Sequence, residues 1–332
     1  MSTGFMSKLL ERAKAAPKKI IFPESDNEKV LQAARKVLDI GIAFPILVGK
    51  KESIEKLASG LGISTKGFNY IDNSDEIVIT GTINEYLAIS SEFSEKTLNR
   101  KMKDSLNFAA AVVKIGGADC LAAGIDHTTG EVIMASQMFI GMEEGIQTIS
   151  SIGIVEATVF EGSEGNLLAI TDCAVCQNPN SSELADIACA SSDTMRSLLG
   201  WEPRAAMICF STDGSGQHEI TEKVVEAVKI SNQRRPDLAI DGEFQLDAAI
   251  NPKVAAKKVK RESKVAGRAN IIVFPDLNAG NIGVKLIQTF GKALAHGPLL
   301  QGFSKPVTDF SRSAPVDEIV GNLTMLVVRA GK

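Results

Sequence analysis

The feature that most constrains the fold is a regular alternation of short β-branched runs with segments of helical periodicity. "KKIIFPE" (Lys18 to Glu24) is a β-branched run stopped by proline, which predicts a buried strand. "NEKVLQAARKVLDIG" follows with apolar residues at helical spacing and closes at Gly41. "AFPILVG" is the next strand, and "KKESIEKLASGLG" the next glycine-closed helix. The pattern continues through a strand at "IVITG", a helix around Lys103 to Ile115, and a strand at "ADCLAAG". Strands that alternate with helices in this way predict a parallel sheet covered by helices, the α/β class.

Met138 to Ala157 reads as helical and then strand-like. Beyond it, "GNLLAITDC", "RAAMICFS", "LAIDGEF" and "NIIVFPD" are further strands. They are interleaved with helices at "SSELADIACASSDTMRSLLG" and "HEITEKVVEAVKISNQ", and "GNIGVKLIQTFG" starts a helix from a glycine-rich turn. No period recurs, so a solenoid is not expected. At 332 residues the chain is long enough for two domains.

Bulk chemistry narrows the function classes. A net charge of −4 gives no general basic footprint for nucleic acid. The basic run "KKVKRESK" (Lys257 to Lys264) is expected to be a solvated face. No apolar run reaches the ~18 residues that span a bilayer. The N-terminal "MSTGFMSKLLERAKAAPKK" carries charge throughout and predicts an amphipathic first helix rather than a secretion signal. Five cysteines, an odd number, favour reduced thiols and a cytoplasmic location. Cys173 and Cys176 form a C-x-x-C without a second such pair or a nearby histidine. Small buried thiols are favoured there over a redox pair, and a redox pair over a zinc site.

In open α/β sheets, ligands bind beyond the carboxyl ends of the strands. The loops "GIDHTTGE" (Gly124 to Glu131), "STDGSGQH" (Ser211 to His218) and "DLNAGNIG" (Asp276 to Gly283) leave strands there. Each can present backbone N–H groups to an anion at a helix N-terminus. None is a Walker A motif or a G-x-G-x-x-G. A fourth segment, "PVTDFSRSAPVDEIV" (Pro306 to Val320), sets Ser311 and Arg312 in a polar gap before a helix that Pro315 starts and Asp317 and Glu318 follow. Two roles stand for Arg312: a fork of donors for a phosphate or carbonyl, or a structural ion pair with one of these acids.

The chain resembles the phosphate acetyl/butyryltransferases from about Lys18 to Val320. The resemblance is carried by "IIFPESDNEKVLQAA", "GGADCLAAG", "HTTGEV", "TDCAVCQNPNSSELADIA", "EPRAAMICFSTDGSG", "RPDLAIDGEFQLDAAINPKVAAKK", "VAGRANIIVFPDLNAGNIG" and "GPLLQGFSKPVTDFSR". It implies two α/β domains with mainly parallel sheets and an interdomain active-site cleft. The first would hold residues 1–145 plus 298–332 and the second 146–297, in a cytoplasmic homodimer. The implied reaction is reversible acyl transfer between coenzyme A and inorganic phosphate: acetyl-CoA and phosphate give acetyl phosphate and CoA, or the same with a related short acyl group. Coenzyme A is a substrate, and no metal or redox cofactor takes part. The implied partners are small molecules (acyl-CoA, phosphate, acyl phosphate), with no nucleic acid and no membrane.

By the same resemblance, Ser311 and Arg312 are catalytic, with Glu318 or Asp317 as the base. His127, Thr128, Thr129, Ser211, Gly214, Ser215, Asn278, Gly280, Asn281 and Gly283 are substrate-binding. Glu318 stands seven residues after the serine, where the family places an aspartate. Other departures all remove a cation. Met134 and Gln217 stand where the family has basic residues, and "YLAISSEFS" around Ser90 and Ser91 replaces a basic segment. A charge-assisted contact is worth ~1.5–3 kcal/mol. The alternative implied by those losses is a weak or silent module that binds acyl-CoA or acyl phosphate without turnover.

Overall fold

The computed structural model describes residues 4–331, so the outermost residues of the expected first domain and first helix, 1–3 and 332, lie outside the described residues. The chain forms two compact units, Met1–Glu144 with Phe303–Lys332, and Gly145–Gly302. The first unit opens with α1 (Gly4–Ala15), β1 (Lys18–Phe22), α2 (Glu28–Asp39), β2 (Ala43–Val48), α3 (Lys51–Gly60) and β3 (Asn69–Ile71). It continues with α4 (Glu76–Leu87), α5 (Glu95–Lys101), α6 (Ser105–Lys114), β4 (Cys120–Ala123) and α7 (Thr129–Phe139). The second unit contains β5 (Ser150–Glu156), β6 (Leu167–Thr171), α8 (Ser181–Leu199), β7 (Arg204–Ile208), α9 (Glu219–Arg234) and β8 (Ala239–Phe244). It closes with α10 (Leu246–Ile250), α11 (Pro252–Lys258), β9 (Ile271–Val273), α12 (Leu277–Gly291) and β10 (Leu294–Gln301). The chain then returns to the first unit through β11 (Val307–Asp309) and α13 (Val316–Arg329).

The first sheet has the order β11-β4-β1-β2-β3, and every pairing in it is parallel. Ile20, Ile21 and Phe22 of β1 are fully buried, as expected of a central strand covered by helices on both faces. Burying each such side chain stabilises the fold by ~1.5–3 kcal/mol. α2 begins where the Asn27 side chain accepts the Lys29 N–H, and it turns Val30, Leu31, Ala33, Ala34 and Val37 inward. The second sheet has the order β10-β5-β6-β9-β7-β8; β6, β9, β7 and β8 are parallel, and β10 and β5 are antiparallel additions. α8 carries a capping box between Asn180 and Glu183, and left-handed Gly200 ends it.

Two expectations are corrected. "IVITG" lies in α4, not in a strand: Asp75 caps the helix, and Ile79, Thr82, Ile83 and Tyr86 are buried at helical spacing. Local β-propensity is overridden there by a cap and a buried stripe. "GNIG" is not a turn but the first part of α12, which Asp276 caps by accepting the Ala279 N–H. Among the described residues, no helix is long and apolar enough to cross a membrane.

Candidate active site

In the first unit, the parallel neighbours β11, β4 and β1 end side by side. Their carboxyl ends deliver three loops to one place: Phe310–Pro315, Gly124–Thr128 and Pro23–Asn27. Sequence distance is removed by sheet order, so Glu24, His127 and the Ser311-Arg312 turn become neighbours at one sheet edge.

Glu24 organises the first two loops. It is 2% exposed and accepts backbone N–H groups from Gly124, Ile125, Asp126 and His127 at 2.9–3.0 Å. The His127 ring lies against it too, with Nδ1 2.8 Å from Oε1. Burial raises the Glu24 pKa, but the His127 contact and the backbone donors outweigh it, and the carboxylate titrates below its ordinary range. His127 is moved upward, first by that same hydrogen bond and against its own burial. The pair therefore favours a charged imidazolium over an anionic carboxylate, with Nε2 as the ring nitrogen not used by Glu24.

α7 starts at Thr128, whose side chain accepts the Glu131 N–H while Glu131 accepts the Thr128 N–H. Those bonds to Thr128 hold the Glu131 carboxyl low, with His127 and Arg312 as minor contributors. Thr129 donates its hydroxyl to Asp309 Oδ2 at 2.5 Å. Asp309 packs against Gly124: with φ +113° there, a Cβ would fall 2.2 Å from Asp309 Oδ1 and 2.5 Å from the Phe310 nitrogen. Only glycine fits this close approach.

Ser311, Arg312 and Ser313 are exposed, and the Ser311 and Ser313 hydroxyls are 3.0 Å apart. Lys29, in the first turn of α2, donates to the carbonyls of Arg312 and Ala314 at 3.1 Å each. A cation thus clamps the backbone of the turn and leaves the side chains outward. The two acids beyond the turn differ. Asp317 pairs with Lys36 at 2.8 Å, and that contact lowers its pKa. Glu318 lies exposed at the start of α13, and partial desolvation of its carboxyl moves its pKa upward. The structural ion pair considered for Arg312 is therefore not made by Asp317, which Lys36 engages instead. Met134, further along α7, is 59% exposed. The "YLAISSEFS" segment is held by aromatic packing, with Tyr86 and Phe93 each 5.7 Å from Phe139 of α7.

The second unit repeats the device of a buried carboxylate at strand ends. Asp172, after β6, accepts the N–H groups of Ala174, Val175 and Cys176 at 2.9, 3.2 and 2.7 Å. Glu243, in β8, accepts the Ser211 hydroxyl at 2.8 Å and the Gly214 N–H at 2.9 Å. Ser211 is fully buried, and its oxygen also accepts the Gly216 N–H. Its hydroxyl is engaged in holding the loop, whereas Gly214, Ser215 and Asn278 are more open to solvent. Gly280 and Gly283 are packing positions: a Cβ at Gly280 would lie 2.2 Å from the Asp172 carbonyl oxygen, and one at Gly283 3.2 Å from the Phe274 ring. Asn281 donates to the Cys173 carbonyl at 3.3 Å. Cys173 and Cys176 are free, half-buried thiols, pushed up to about 12 by burial.

The sequence-predicted residues thus form two sets. His127, Thr128, Thr129, Ser311, Arg312, Asp317 and Glu318 gather at the strand ends of the first unit. Ser211, Gly214, Ser215, Asn278, Gly280, Asn281 and Gly283 lie at those of the second. Sequence reasoning missed Glu24, Lys29 and Asp309. A signal existed for the first, because an acid directly follows "IIFP" at a strand end.

Comparison with known proteins agrees with this architecture. The model of the family described as Phosphate acetyl/butaryl transferase matches residues 4–327. The phosphate acetyltransferase of Clostridium acetobutylicum is 40% identical over 327 residues, covering 96% of each chain. That of Thermoanaerobacterium thermosaccharolyticum is 39% identical, covering 98% of this chain and 99% of its own. The crystal structure of a phosphotransacetylase from Streptococcus pyogenes superposes with a TM-score of 0.90 at 32% identity, covering 98% of both chains. The chain belongs to the phosphate acetyl/butyryl transferase family.

Proposed function

We propose that this protein transfers a short acyl group reversibly between coenzyme A and inorganic phosphate, with acetyl the first candidate. The observation that carries the reading is the Ser311-Arg312 turn, held outward by Lys29 at the carboxyl ends of parallel strands, with Glu318 in the first turn of the helix that follows. In the direction of acyl-CoA synthesis, Glu318 takes the thiol proton of coenzyme A. The thiolate sulfur attacks the acyl carbonyl, a C–S bond forms, and the C–O bond to phosphate breaks. Arg312 holds the phosphoryl oxygens, and Ser311 donates a hydrogen bond to the developing oxyanion. Glu318 suits the base role better than Asp317. Asp317 is engaged by Lys36, which holds its pKa low, whereas Glu318 has no such cation and is moved upward by partial desolvation.

His127, Thr128 and Thr129 flank the phosphoryl group in this reading, and Gly214, Ser215 and Asn278 are the second unit's positions for substrate contact. Coenzyme A is a substrate, no metal or redox cofactor enters the chemistry, and the enzyme works in the cytoplasm. The protein is a homodimer in this proposal. Ile282, Leu286 and Phe290 form an exposed i, i+4, i+8 stripe on α12, beside Leu294 on the edge strand β10. An apolar stripe bordering an open strand edge fits a second copy of the same face about a two-fold axis.

Thiol release from acetyl-, propionyl- and butyryl-CoA at saturating phosphate tests the activity. No release from any of them overturns the acyltransferase reading. Binding of acyl phosphate without turnover supports instead the non-catalytic module, which the absence of a cation at Met134 favours.

A further inference from the structure

We infer that Asp309 is a positioning residue for acyl transfer: it ties the first turn of α7 to the strand end that carries Ser311 and Arg312, and it takes up a proton from solvent when Arg312 binds a phosphoryl dianion. The inference rests on the acyltransferase reading above. Asp309 ends β11, whose register is fixed by the Phe310 N–H on the Ala123 carbonyl at 2.8 Å. The residue is 9% exposed. One carboxyl oxygen receives the Thr129 hydroxyl, and the other, Oδ1, is buried against Gly124 with no hydrogen-bond partner.

An asparagine would keep the bond from Thr129 and avoid burying a charge. The acid must therefore serve something its shape does not explain. The charged groups around it indicate what. Glu24, on the loop after β1, disfavours its ionisation, and Arg312 favours it. His127 lies on the far side of Glu24, and Glu131 shares the field of Arg312. The charge of Arg312 thus acts on both carboxylates, favouring the ionised form of each. Glu131 is held low by its bonds to Thr128 in the α7 capping box. Asp309 is raised to about 6, by burial first, and so lies within reach of a proton at neutral pH. In the free protein, Thr129 donates its hydroxyl to Asp309, and Arg312 favours the ionised carboxyl through its field. An arriving dianion competes for Arg312 and repels the carboxylate, and protonation of Asp309 removes the repulsion.

Calorimetric titration of the full chain with sulfate, which does not titrate near neutrality, decides the matter. It is run with acetyl phosphate in parallel, in two buffers of different ionisation enthalpy. Wild type is expected to take up a substantial fraction of a proton per anion near pH 6.5, and its affinity to fall several-fold between pH 5.5 and 7.5. Asp309→Asn is expected to lose that uptake and to bind with a flat pH profile. KM for acetyl phosphate should follow the same profile and KM for coenzyme A should not. Thr129→Val should lower kcat and, because its hydroxyl favours the ionised carboxyl, should shift the proton uptake to higher pH without abolishing it. Equal uptake in wild type and Asp309→Asn assigns the proton to another group, such as His127, and overturns the inference. Turnover with anion binding but no proton uptake overturns it while leaving the acyltransferase reading intact. Binding with uptake but no turnover overturns the acyltransferase reading and the positioning role with it, leaving only the linkage of anion and proton at Asp309, and absence of both binding and turnover removes everything.

Discussion

Replacing Asp309 by asparagine should stabilise the protein, and the gain should depend on pH with a sign the structure fixes. The Asp309 carboxyl titrates at about 6 in the fold against 3.8 for an unperturbed group. A raised folded pKa means that the native state holds the proton more tightly than the unfolded chain. The associated stability is fully present below pH 4 and is lost as pH rises toward 6. Two pKa units correspond to roughly 3 kcal/mol at pH 7 and above, at ~1.4 kcal/mol per unit. The amide that Asp309→Asn introduces would keep the Thr129 hydroxyl as a donor and carry no charge against Glu24. Urea unfolding of both proteins at pH 4, 5, 6, 7 and 8 measures the difference. The curves should coincide near pH 4 and separate to as much as ~3 kcal/mol by pH 8, with the variant above. A variant less stable than wild type at pH 8, or a gap that does not close in acid, would refute the claim that ionising this carboxyl costs the fold anything.

Glu318→Gln should lower kcat by ~10²-fold with little change in KM, as loss of a general base does. Asp317→Asn should give near-normal rates, and the reverse pattern in steady-state assays would transfer the role. Met134→Arg should lower KM for acetyl phosphate tenfold or more, since one charge-assisted contact is worth ~1.5–3 kcal/mol; an unchanged KM in folded protein would show that this position of α7 does not meet the ligand. Phe290→Glu places a charge in the α12 stripe and should convert a dimer to monomer in light scattering, whereas a dimer of undiminished affinity would place the interface elsewhere.

Most of the α/β alternation is legible because strand segments buried on both faces must be apolar, as Ile20, Ile21 and Phe22 of β1 are, and because glycine and asparagine mark helix ends. The misreadings have local causes. "IVITG" is β-branched, yet Asp75 starts a helix just before it, and the stripe Ile79-Ile83-Tyr86 decides the outcome. "GNIG" looks like a phosphate loop, but Gly280 is small because the backbone at Asp172 passes 2.2 Å from where its Cβ would be. β10 and β11 leave little pattern to read, since one bulges beside Pro298 and the other has three residues. The Ser311-Arg312 pair stands out as an isolated charge before a helix. Glu24 and Asp309 do not, because a buried acid is recognised by what surrounds it, and its neighbours are about a hundred residues away or more.

The pairing of β11 with β4 joins Val307 to Leu121 across the whole of the second unit. A growing chain therefore reaches Glu144 with β4 as an open sheet edge and with no serine or arginine yet beside Glu24 and His127. An unfilled parallel edge is a template for wrong pairings until its strand arrives. The second unit must be synthesised and leave that edge accessible before residues 303–329 can dock. The Ser311-Arg312 turn thus joins Glu24 and His127 only after the second unit has been made, and a ribosome that stalls after Gly302 leaves β4 without its outer neighbour.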